Sequence, residues 1–284
     1  MKVRDLIKTA AEKLKSAGIP ESRLEAELFL EDAADISRIM IITEPDAEVD
    51  AEKQKLFEDM VERRTKFEPF AYITGHKEFM GLDFKVGEGV LIPRPDTEIL
   101  VESIIETAKE HNLKTSAEIG IGSGCISISI AKYAGLDCVG TDISKAALAI
   151  AVDNIKKNDV VDKVKFFEGD VFKGMPENKY DIIVSNPPYI RKKDMEDLMP
   201  DVKDYEPYTA LCGGDDGLDF YRQISIEGKD FLNDGGFIFY EIGWDEAEEV
   251  SDILRENGYK DIEVIKDLSG LDRVVKARKG DFDV

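Results

Sequence analysis

The chain has 284 residues, which is enough for one large domain or two smaller ones. Apolar residues make up 43% and charged residues 35%, a balance that excludes a wholly disordered chain. The 60 acidic residues outnumber the 38 basic ones, and the net charge of −22 disfavours nucleic acid as a partner unless a local basic patch overrides it. The same acidity suits a protein or small-molecule partner, or serves solubility alone.

The cysteine and histidine content argues against a metal site. The three cysteines do not have zinc-ligand spacing, and two histidines are too few for a Cys/His cluster. We therefore expect no metal ion. The first residues lack the apolar run of a signal peptide, and no stretch of ~18 uncharged apolar residues occurs. We expect a cytoplasmic protein with no membrane-spanning segment.

Helical periodicity dominates the first part of the chain. Apolar residues recur at steps of three and four from Val3 to Ala17, and Pro20 follows this predicted helix. A second apolar stripe begins at Leu24 and is broken by Pro45, and residues 54–65 predict a further helix. Residues 1–74 are therefore predicted to form a helical bundle.

A hairpin and a stiff linker are predicted next, over residues 75–97. Alternation from Leu82 to Val86, followed by a glycine turn, is typical of a hairpin. Two prolines in Leu91-Ile-Pro-Arg-Pro95 restrict the backbone, and Asp96 or Thr97 is suited to cap the helix that begins near Glu98. The proline segment serves either as a linker alone or also as a lid over a cofactor.

Strands alternate with helices from residue 98 to the end. The predicted strands cover residues 117–119, 138–141, 164–167, 182–185, 237–242 and 262–265, and a final antiparallel strand covers 274–277. The predicted helices cover residues 126–133, 144–158, 220–232 and 246–257. This order predicts an α/β domain with a mostly parallel sheet covered on both faces.

A glycine-rich loop follows the first of these strands. Glu118 precedes Gly120-Ile121-Gly122-Ser123-Gly124, at the carboxyl end of a strand, where open α/β sheets bind ligands. A dinucleotide site would have the spacing Gly-x-Gly-x-x-Gly, and the carboxylate of Glu118 would repel a phosphate. It would attract the ammonium of S-adenosylmethionine, so the loop favours that cofactor over a dinucleotide.

Acidic residues follow the next two strands. Asp142 lies about 20 residues past the loop, where an acid commonly binds a ribose hydroxyl, although Asp142 and Ser144 could also simply cap the next helix. Asp170 could meet the edge of adenine while Val171 lies against its face, or Asp170 could be an ordinary turn residue. These residues extend the candidate cofactor site.

Asn186-Pro187-Pro188-Tyr189 follows a strongly apolar strand. The two prolines fix the backbone and remove two N–H donors, which leaves the Asn186 side-chain oxygen and a proline carbonyl as acceptors. A planar NH₂ group needs two acceptors in its own plane, and Tyr189 offers a flat face for stacking. Because alignment of the nitrogen with a methyl–sulfur bond is the main requirement, the motif predicts methyl transfer to an amide or amine nitrogen.

The chain resembles the release factor glutamine methyltransferases, the HemK/PrmC family, over nearly its whole length. The resemblance is carried by Arg23–Leu28, Tyr72–Gly75, Glu78-Phe79 with Gly81, Leu91–Pro95 with Thr97-Glu98, Gly120–Gly124, Asp142, Asn186–Tyr189 and Gly214–Asp219. The quartet from Asn186 occurs in other nitrogen methyltransferases, whereas the linker and N-terminal motifs are more specific.

This resemblance implies a five-helix domain that docks the release factor and a Rossmann-like methyltransferase domain. It implies that the glutamine of the Gly-Gly-Gln motif in class I release factors is methylated with S-adenosylmethionine, a step in translation termination. The glycines, Asp142 and Val171 would contact the cofactor, Asn186 the cofactor and the glutamine, and Pro187, Pro188 and Tyr189 would complete the glutamine pocket. Ile121, Glu118 and Val171 depart from threonine, aspartate and an aromatic residue that are common there.

Two other functions remain open on the sequence. A methyltransferase acting on adenine or guanine amino groups would use the same acceptors, but it needs a basic groove, and Arg191-Lys192-Lys193 is soon followed by acids. A non-catalytic adaptor that binds the cofactor and a translation factor would not need the intact Asn186 motif. We expect a monomer with no direct contact to nucleic acid.

Overall fold

The computed structural model describes residues 1–280, and the last four residues of the predicted third domain lie outside the described part. The chain divides into two compact units. One consists of Met1–His76 with Met199–Tyr205, and the other of Lys77–Leu198 with the residues from Glu206 on.

Five helices form the first part of the helical unit. They are α1 (Val3–Ser16), α2 (Ser22–Ala34), α3 (Arg38–Thr43), α4 (Ala51–Arg64) and α5 (Phe70–Thr74). The predicted helices at 3–17 and 54–65 are confirmed. The predicted apolar stripe between Leu24 and Pro45 forms two helices, α2 and α3, because Ser37 caps a new start by accepting a bond from the N–H of Met40. Leu14, Phe29, Leu30 and Phe57 are among the fully buried side chains of its core.

A buried ion pair joins α2 to α4 inside this unit. The guanidinium of Arg64 donates to both carboxylate oxygens of Glu25, at 2.7 and 3.2 Å, and to the carbonyl of Glu68 at 3.2 Å. Asp201 lies 3.7 Å from the same guanidinium, and the hydroxyl of Tyr205 donates to the Lys66 carbonyl at 2.7 Å. These bonds hold the distant segment Met199–Tyr205 within the helical unit.

A two-stranded hairpin begins the rest of the chain, with β1 (His76–Phe79) and β2 (Leu82–Lys85). The predicted alternating strand is the second strand of the hairpin, whose own turn lies at Met80 and Gly81. The expected glycine turn follows that strand, where the Val90 N–H donates to the Gly87 carbonyl at 3.2 Å and Gly89 has a φ of 88°. Glu98 accepts a bond from the Met80 N–H at 2.6 Å, which ties the turn to the following helix.

Seven strands form the main sheet of the second unit. They are β3 (Thr115–Ile119), β4 (Asp137–Asp142), β5 (Val164–Glu168), β6 (Tyr180–Ser185), β7 (Leu232–Glu241), β8 (Tyr259–Lys266) and β9 (Asp272–Lys279). Their order is β5-β4-β3-β6-β7-β9-β8, with parallel pairs from β5 to β7 and antiparallel pairs to β9. The mostly parallel sheet and the antiparallel last strand are confirmed.

Helices cover both faces of this sheet. They are α6 (Thr97–His111), α7 (Cys125–Ala134), α8 (Lys145–Lys157), α10 (Tyr208–Leu211), α11 (Asp219–Phe231) and α12 (Ala247–Glu256), with a 3₁₀ helix at Lys192–Asp197. The short helix α9 (Pro200–Lys203) belongs to the helical unit. On β6, Ile182 and Val184 join one apolar core while Ile183 joins the other. This alternation is the pattern of a strand buried on both faces.

The parallel register brings three loops to one edge of the sheet. Ile119 at the end of β3 pairs with Thr141 on β4 and with Ser185 on β6. The glycine loop, Asp142 and Asn186 therefore leave adjacent strands at the same level. Within residues 1–280, no helix is long and apolar enough to cross a membrane.

Candidate active site

A cavity of about 280 Å³ lies at this carboxyl edge of the sheet. Ten of the predicted site residues line it: Gly120, Ile121, Gly122, Ser123, Asp142, Asp170, Val171, Asn186, Pro187 and Pro188. Glu118, Gly124 and Tyr189 are not among its lining residues. The structure therefore brings ten of the predicted residues to the surface of one cavity, and the other three lie outside its lining.

The glycine loop needs backbone conformations that residues with a side chain rarely adopt. Gly120, Gly122 and Gly124 have φ of 75°, 52° and 79°. A Cβ on Gly124 would lie 2.8 Å from the Phe166 ring, so this glycine is also required for space. Gly120 donates its N–H to the Thr141 carbonyl at 2.9 Å, which folds the loop over the end of β4.

Asp142 holds the loop with its side chain. Its Oδ2 accepts from the Gly122 N–H at 3.0 Å and its Oδ1 accepts from the Ser144 N–H at 2.8 Å. Ser144 in turn caps α8 by accepting from the Ala147 N–H at 3.2 Å. Because each carboxylate oxygen has a further lone pair, Asp142 can organise the turn and still accept a ribose hydroxyl.

Glu118 is buried beside the loop. One carboxylate oxygen accepts both the N–H and the hydroxyl of Ser127, while the other has no hydrogen-bond partner within the described chain. Burial raises the pKa of Glu118 to about 8, against the opposing effect of the Ser127 bonds. The carboxyl group therefore faces the start of α7 from behind the cavity wall, and at neutral pH it holds its proton and carries no charge for an ammonium.

Asp170 and Val171 occupy the next strand end. Asp170 is exposed and pairs with Lys173 at 3.0 Å, while Val171 is buried with a φ of 55°. A β-branched residue in the left-handed region is strained, and the Thr141 hydroxyl supports it by donating to the Val171 carbonyl. Strain of this kind is typical of ligand sites, and Val171 lies on the cavity wall.

The Asn186 motif begins where β6 ends. The Ser185 hydroxyl anchors the strand end by donating to the Ile119 carbonyl at 2.8 Å. The Asn186 side-chain NH₂ donates to the Thr97 hydroxyl at 3.4 Å, and Pro187 and Pro188 follow on the wall. Tyr189 packs against the second apolar core, and burial raises the pKa of its hydroxyl to about 12.

Several cavity residues were not predicted from the sequence. Linker residues Gly89, Val90 and Leu91 line the cavity, as do Pro207, Thr209, Ala210, Phe220 and Ile224. Pro93 and Arg94 also line it, and Arg94 is paired with the buried Glu206, so the proline segment is part of the site. Of these residues, Pro93 and Arg94 belong to the proline segment that the sequence had indicated as a linker or a lid over the cofactor.

The expected cap of α6 was wrong. Asp96 occupies the cap position without a side-chain hydrogen bond, and Thr97 begins the helix. The Thr97 hydroxyl is buried and bonded to Asn186, so it serves the site and leaves the helix end uncapped.

The cavity suits a nucleoside that carries a cation. Apolar side chains such as Ile143, Val171 and Ile224 can cover a flat base, and Asp142 can accept from a ribose. Among the described lining residues, Arg94 is the one cationic side chain, and its charge is already paired with Glu206. A wall with acids and a single neutralised cation fits S-adenosylmethionine and does not fit a pyrophosphate.

The fold and this cavity together define the class: the protein is an S-adenosylmethionine-dependent methyltransferase with a Rossmann-like sheet. Residues 5–75 match the family profile described as the PrmC N-terminal domain, and residues 95–201 match the methyltransferase small domain. The chain belongs to the release factor glutamine methyltransferase family, as its close relatives show.

Two relatives illustrate the full-length likeness. The release factor glutamine methyltransferase of Clostridium acetobutylicum is 44% identical over 283 residues, which cover 99% of both chains. The protein of the same name from Geobacter sulfurreducens is 40% identical over 268 residues, which cover 94% of this chain and 93% of that one. The similarity therefore includes the N-terminal helices as well as the sheet.

Solved structures share the fold at low identity. A methyltransferase from Pyrococcus furiosus superposes with a TM-score of 0.54 at 22% identity and covers 72% of this chain and 92% of its own. The hMettl16 catalytic domain in complex with an RNA hairpin gives 0.58 at 15% identity and covers 81% of both chains. At these identities the likeness concerns the fold alone.

Proposed function

We propose that the protein methylates the side-chain amide nitrogen of the glutamine in the Gly-Gly-Gln motif of class I peptide-chain release factors. The methyl donor is S-adenosylmethionine, and the reaction belongs to translation termination. The full-length relatives, which carry that substrate in their names, support this assignment.

The arrangement of Asn186 is the single observation that carries the chemistry. Its NH₂ group donates to Thr97, and Asn186 and Pro187 both line the cavity, so we assign the Asn186 Oδ1 and the Pro187 carbonyl as the acceptors for the substrate amide. Prolines at the next two positions supply no N–H donors that would compete for these acceptors. Two oxygen acceptors side by side match the two hydrogens of a glutamine amide.

The reaction asks the protein mainly for alignment. When held by the glycine loop and Asp142, S-adenosylmethionine would supply a methyl group on a sulfonium sulfur that keeps the bonding electron pair, and the amide nitrogen would give up one N–H proton to water. Asn186 and the Pro187 carbonyl orient the amide and stabilise the positive charge that develops on its nitrogen. We assign Tyr189 to the support of this acceptor row and of the glutamine pocket.

The proposed cofactor contacts follow the cavity wall. Gly120, Ile121, Gly122 and Ser123 would face the amino-acid end with their backbone, and Asp142 the ribose. Asp170 and Val171 would meet the adenine, while Gly124 keeps the loop close to Phe166 and Glu118 supports the start of α7 from behind by accepting from Ser127.

The proposed function also assigns recognition of the release factor to a particular part of the chain. We place docking of the release factor on residues 1–74, the hairpin and linker on 75–97 and the methyltransferase domain from residue 98 on. A monomer acting in the cytoplasm, without direct contact to nucleic acid, is the proposed working state.

The test is incubation with S-adenosylmethionine labelled in its methyl group and a purified class I release factor, followed by mass spectrometry. The mark should lie on the Gly-Gly-Gln glutamine and disappear when that glutamine is replaced. Asn186→Ala should abolish transfer without unfolding the chain, whereas Asn178→Ala, on the exposed loop before β6, should transfer normally. Label on tRNA, rRNA or DNA in place of the release factor would overturn the proposal.

A further inference from the structure

Glu241 is a buried carboxylate next to the Asn186 motif. It is the last residue of β7, and the register pairs Ser185 of β6 with Tyr240 of β7, so the following residues, Asn186 and Glu241, leave neighbouring strands side by side. Its side chain is 1% exposed and lies outside the cavity wall. Burying a carboxylate costs folding free energy unless it is paired or hydrogen-bonded, so a functional role would explain a glutamate at this position.

Two cavity-side residues face this carboxylate, whose Oε2 has no hydrogen-bond partner within residues 1–280. Burial raises the pKa of Glu241 to about 7, and bonds from the Thr97 hydroxyl and the Asn186 amide act against that rise. Thr97 also accepts from the Asn186 NH₂ at 3.4 Å, so Thr97 receives one hydrogen and gives its own onward. The hydrogens therefore all point towards Glu241, from Asn186 both directly and through Thr97.

This direction decides which end of the Asn186 amide faces the cavity. A carboxylate can only accept, so the neighbouring hydroxyl must donate to it and has only its lone pairs to offer Asn186. The NH₂ end of Asn186 is thereby drawn towards Glu241, and Oδ1 is turned to the cavity. The opposite rotamer would set an amide oxygen against acceptors and an NH₂ donor against the donors of the substrate.

We propose that Glu241, acting through Thr97, is a positioning residue that sets Asn186 as an acceptor and strengthens it with negative charge. The charge matters because linked hydrogen bonds polarise one another in a medium of low dielectric. An Asn186 oxygen backed by a carboxylate stabilises the cation that develops on the attacked nitrogen better than an isolated amide does. This proposal rests on the proposed glutamine methylation and adds that Glu241 affects its rate.

Charged and titratable groups face Glu241 from each element packed against it, and Glu118 and Glu246, whose pKa values burial raises to about 8 and about 7, also titrate near neutral pH. The groups that face Glu241 are Asp96 before α6, Cys125 on α7, Tyr189 after β6, Tyr221 on α11 and Arg273 on β9. Burial raises the pKa of Cys125 and of Tyr189 to about 12, and that of Tyr221 well above its ordinary value. Arg273 is held charged by Asp267 at 3.0 Å.

The test measures methyl transfer to a release factor by the full chain between pH 5.5 and 9. The wild type should lose rate as pH falls through the titration of Glu241, because protonation removes the charge. Glu241→Gln resembles that protonated form, so its rate should stay at the acidic level of the wild type at every pH. Thr97→Val should lower kcat about tenfold, the cost of one hydrogen bond near a charge, with cofactor affinity nearly unchanged, and Thr97→Ser should restore it.

Two controls match these variants. Glu246→Gln removes another buried carboxyl group whose pKa burial raises to about 7, but this group accepts from the Gly243 N–H, so the pH limb should remain. Ser129→Ala removes a buried hydroxyl on α7 that has no hydrogen-bond partner within residues 1–280, and it should leave kcat unchanged. A wild-type pH limb in Glu241→Gln, or a loss of cofactor affinity equal to the loss of kcat in Thr97→Val, would overturn the inference.

A second readout separates this inference from the proposed function. The side-chain NH₂ resonances of Asn186, followed by ¹⁵N NMR on the chain with bound S-adenosylhomocysteine, should shift with pH near 7 in the wild type and stay constant in Glu241→Gln. Absence of methyl transfer by the wild type would sink the proposed function, whereas NH₂ resonances independent of Glu241 would sink the positioning role.

Discussion

Asp142 and Gly122 are joined by a 3.0 Å hydrogen bond from the glycine N–H to the aspartate Oδ2, across 20 residues of chain. This bond makes the acid at the end of β4 part of the glycine loop. The other oxygen accepts from the Ser144 N–H, so one side chain sets both the loop and the start of the next helix.

Asp142→Ala should weaken cofactor binding by at least about tenfold, because the loop loses an N–H acceptor and the ribose loses its partner. Asp142→Asn keeps one acceptor oxygen, so its cofactor affinity should lie between those of the wild type and Asp142→Ala. Isothermal titration with S-adenosylhomocysteine measures the effect. Asp137→Asn, at the exposed other end of β4 where Asp137 pairs with Lys163, should bind normally. Unchanged affinity in Asp142→Ala would remove this residue from the site.

Local sequence patterns were enough to predict the sheet and much of the cavity. Strands and helices alternate with their expected periods, and ligand-binding loops follow strand ends in such sheets, so Gly120, Asp142 and Asn186 could be placed at one edge. The strand ending at Ser185 and the antiparallel strand at 274–277 were confirmed for the same reason. These features depend on neighbours in sequence.

Contacts between distant residues could not be predicted in this way. Asn154 on α8 donates to the carbonyls of Lys85 and Ser123, both at 2.9 Å, and so joins the hairpin to the glycine loop. Glu241 meets Asn186 only because β7 lies beside β6. An isolated Asn or Glu at the end of an element has no local pattern that reveals such a partner.

Gly140 is a further position whose need for glycine could not be predicted from neighbouring residues. A Cβ there would lie 2.4 Å from the Ile121 Cγ2 and 3.1 Å from the Glu118 carbonyl, both in or beside the cofactor loop. Gly140→Ala should therefore displace the loop, reduce cofactor affinity and cost about 1–3 kcal/mol of folding free energy. Calorimetric titration and urea denaturation measure the two effects.

Two comparisons sharpen the Gly140 prediction. A Cβ on Gly87 would meet the Ile150 side chain at an ordinary 3.9 Å, so Gly87→Ala should be tolerated. Adding Ile121→Ala removes the methyl group that clashes, and the double variant should be more stable than Gly140→Ala alone. Additive losses in the double variant would show that the clash with Ile121 is not the cause.

Arg64 should be the charged side chain with the largest effect on the stability of the helical unit. Its guanidinium is 8% exposed and pairs with Glu25, so Arg64→Met leaves a nearly buried carboxylate without its partner and should cost about 3 kcal/mol. Arg64→Lys should cost less but cannot restore the two-point contact. Hydrogen exchange of the α2 and α4 amides measures the loss within this unit.

The exposed pair between Arg23 and Glu27 is the control for Arg64. Arg23 is 82% exposed, so Arg23→Ala should change the free energy of unfolding by no more than about 1 kcal/mol. Adding Glu25→Gln to Arg64→Met removes the unpaired charge and should recover part of the loss. An Arg64→Met variant as stable as Arg23→Ala would contradict the structural role of the buried pair.

Glu118 should make stability depend on pH in an unusual direction. Burial raises its pKa in the folded chain to about 8, compared with an ordinary value of 4.5, so between these pH values the folded state holds a proton that the unfolded state has lost. Stability therefore falls as pH rises through this window, by at most about 1.4 kcal/mol per pH unit for one proton, and levels off above it. Below pH 4.5 both states are protonated and the contribution is complete.

The measurement is the difference in free energy of unfolding between the wild type and Glu118→Gln, from urea denaturation at several pH values between 5 and 9. Glutamine does not titrate, so the difference isolates Glu118 from Glu241 and Glu246, whose pKa values burial raises to about 7. The wild type should lose stability relative to the variant as pH increases to 8. A difference that stays constant, or one that grows in favour of the wild type at high pH, would mean that the Glu118 carboxyl group is charged in the folded protein and is stabilised by the N–H and hydroxyl of Ser127.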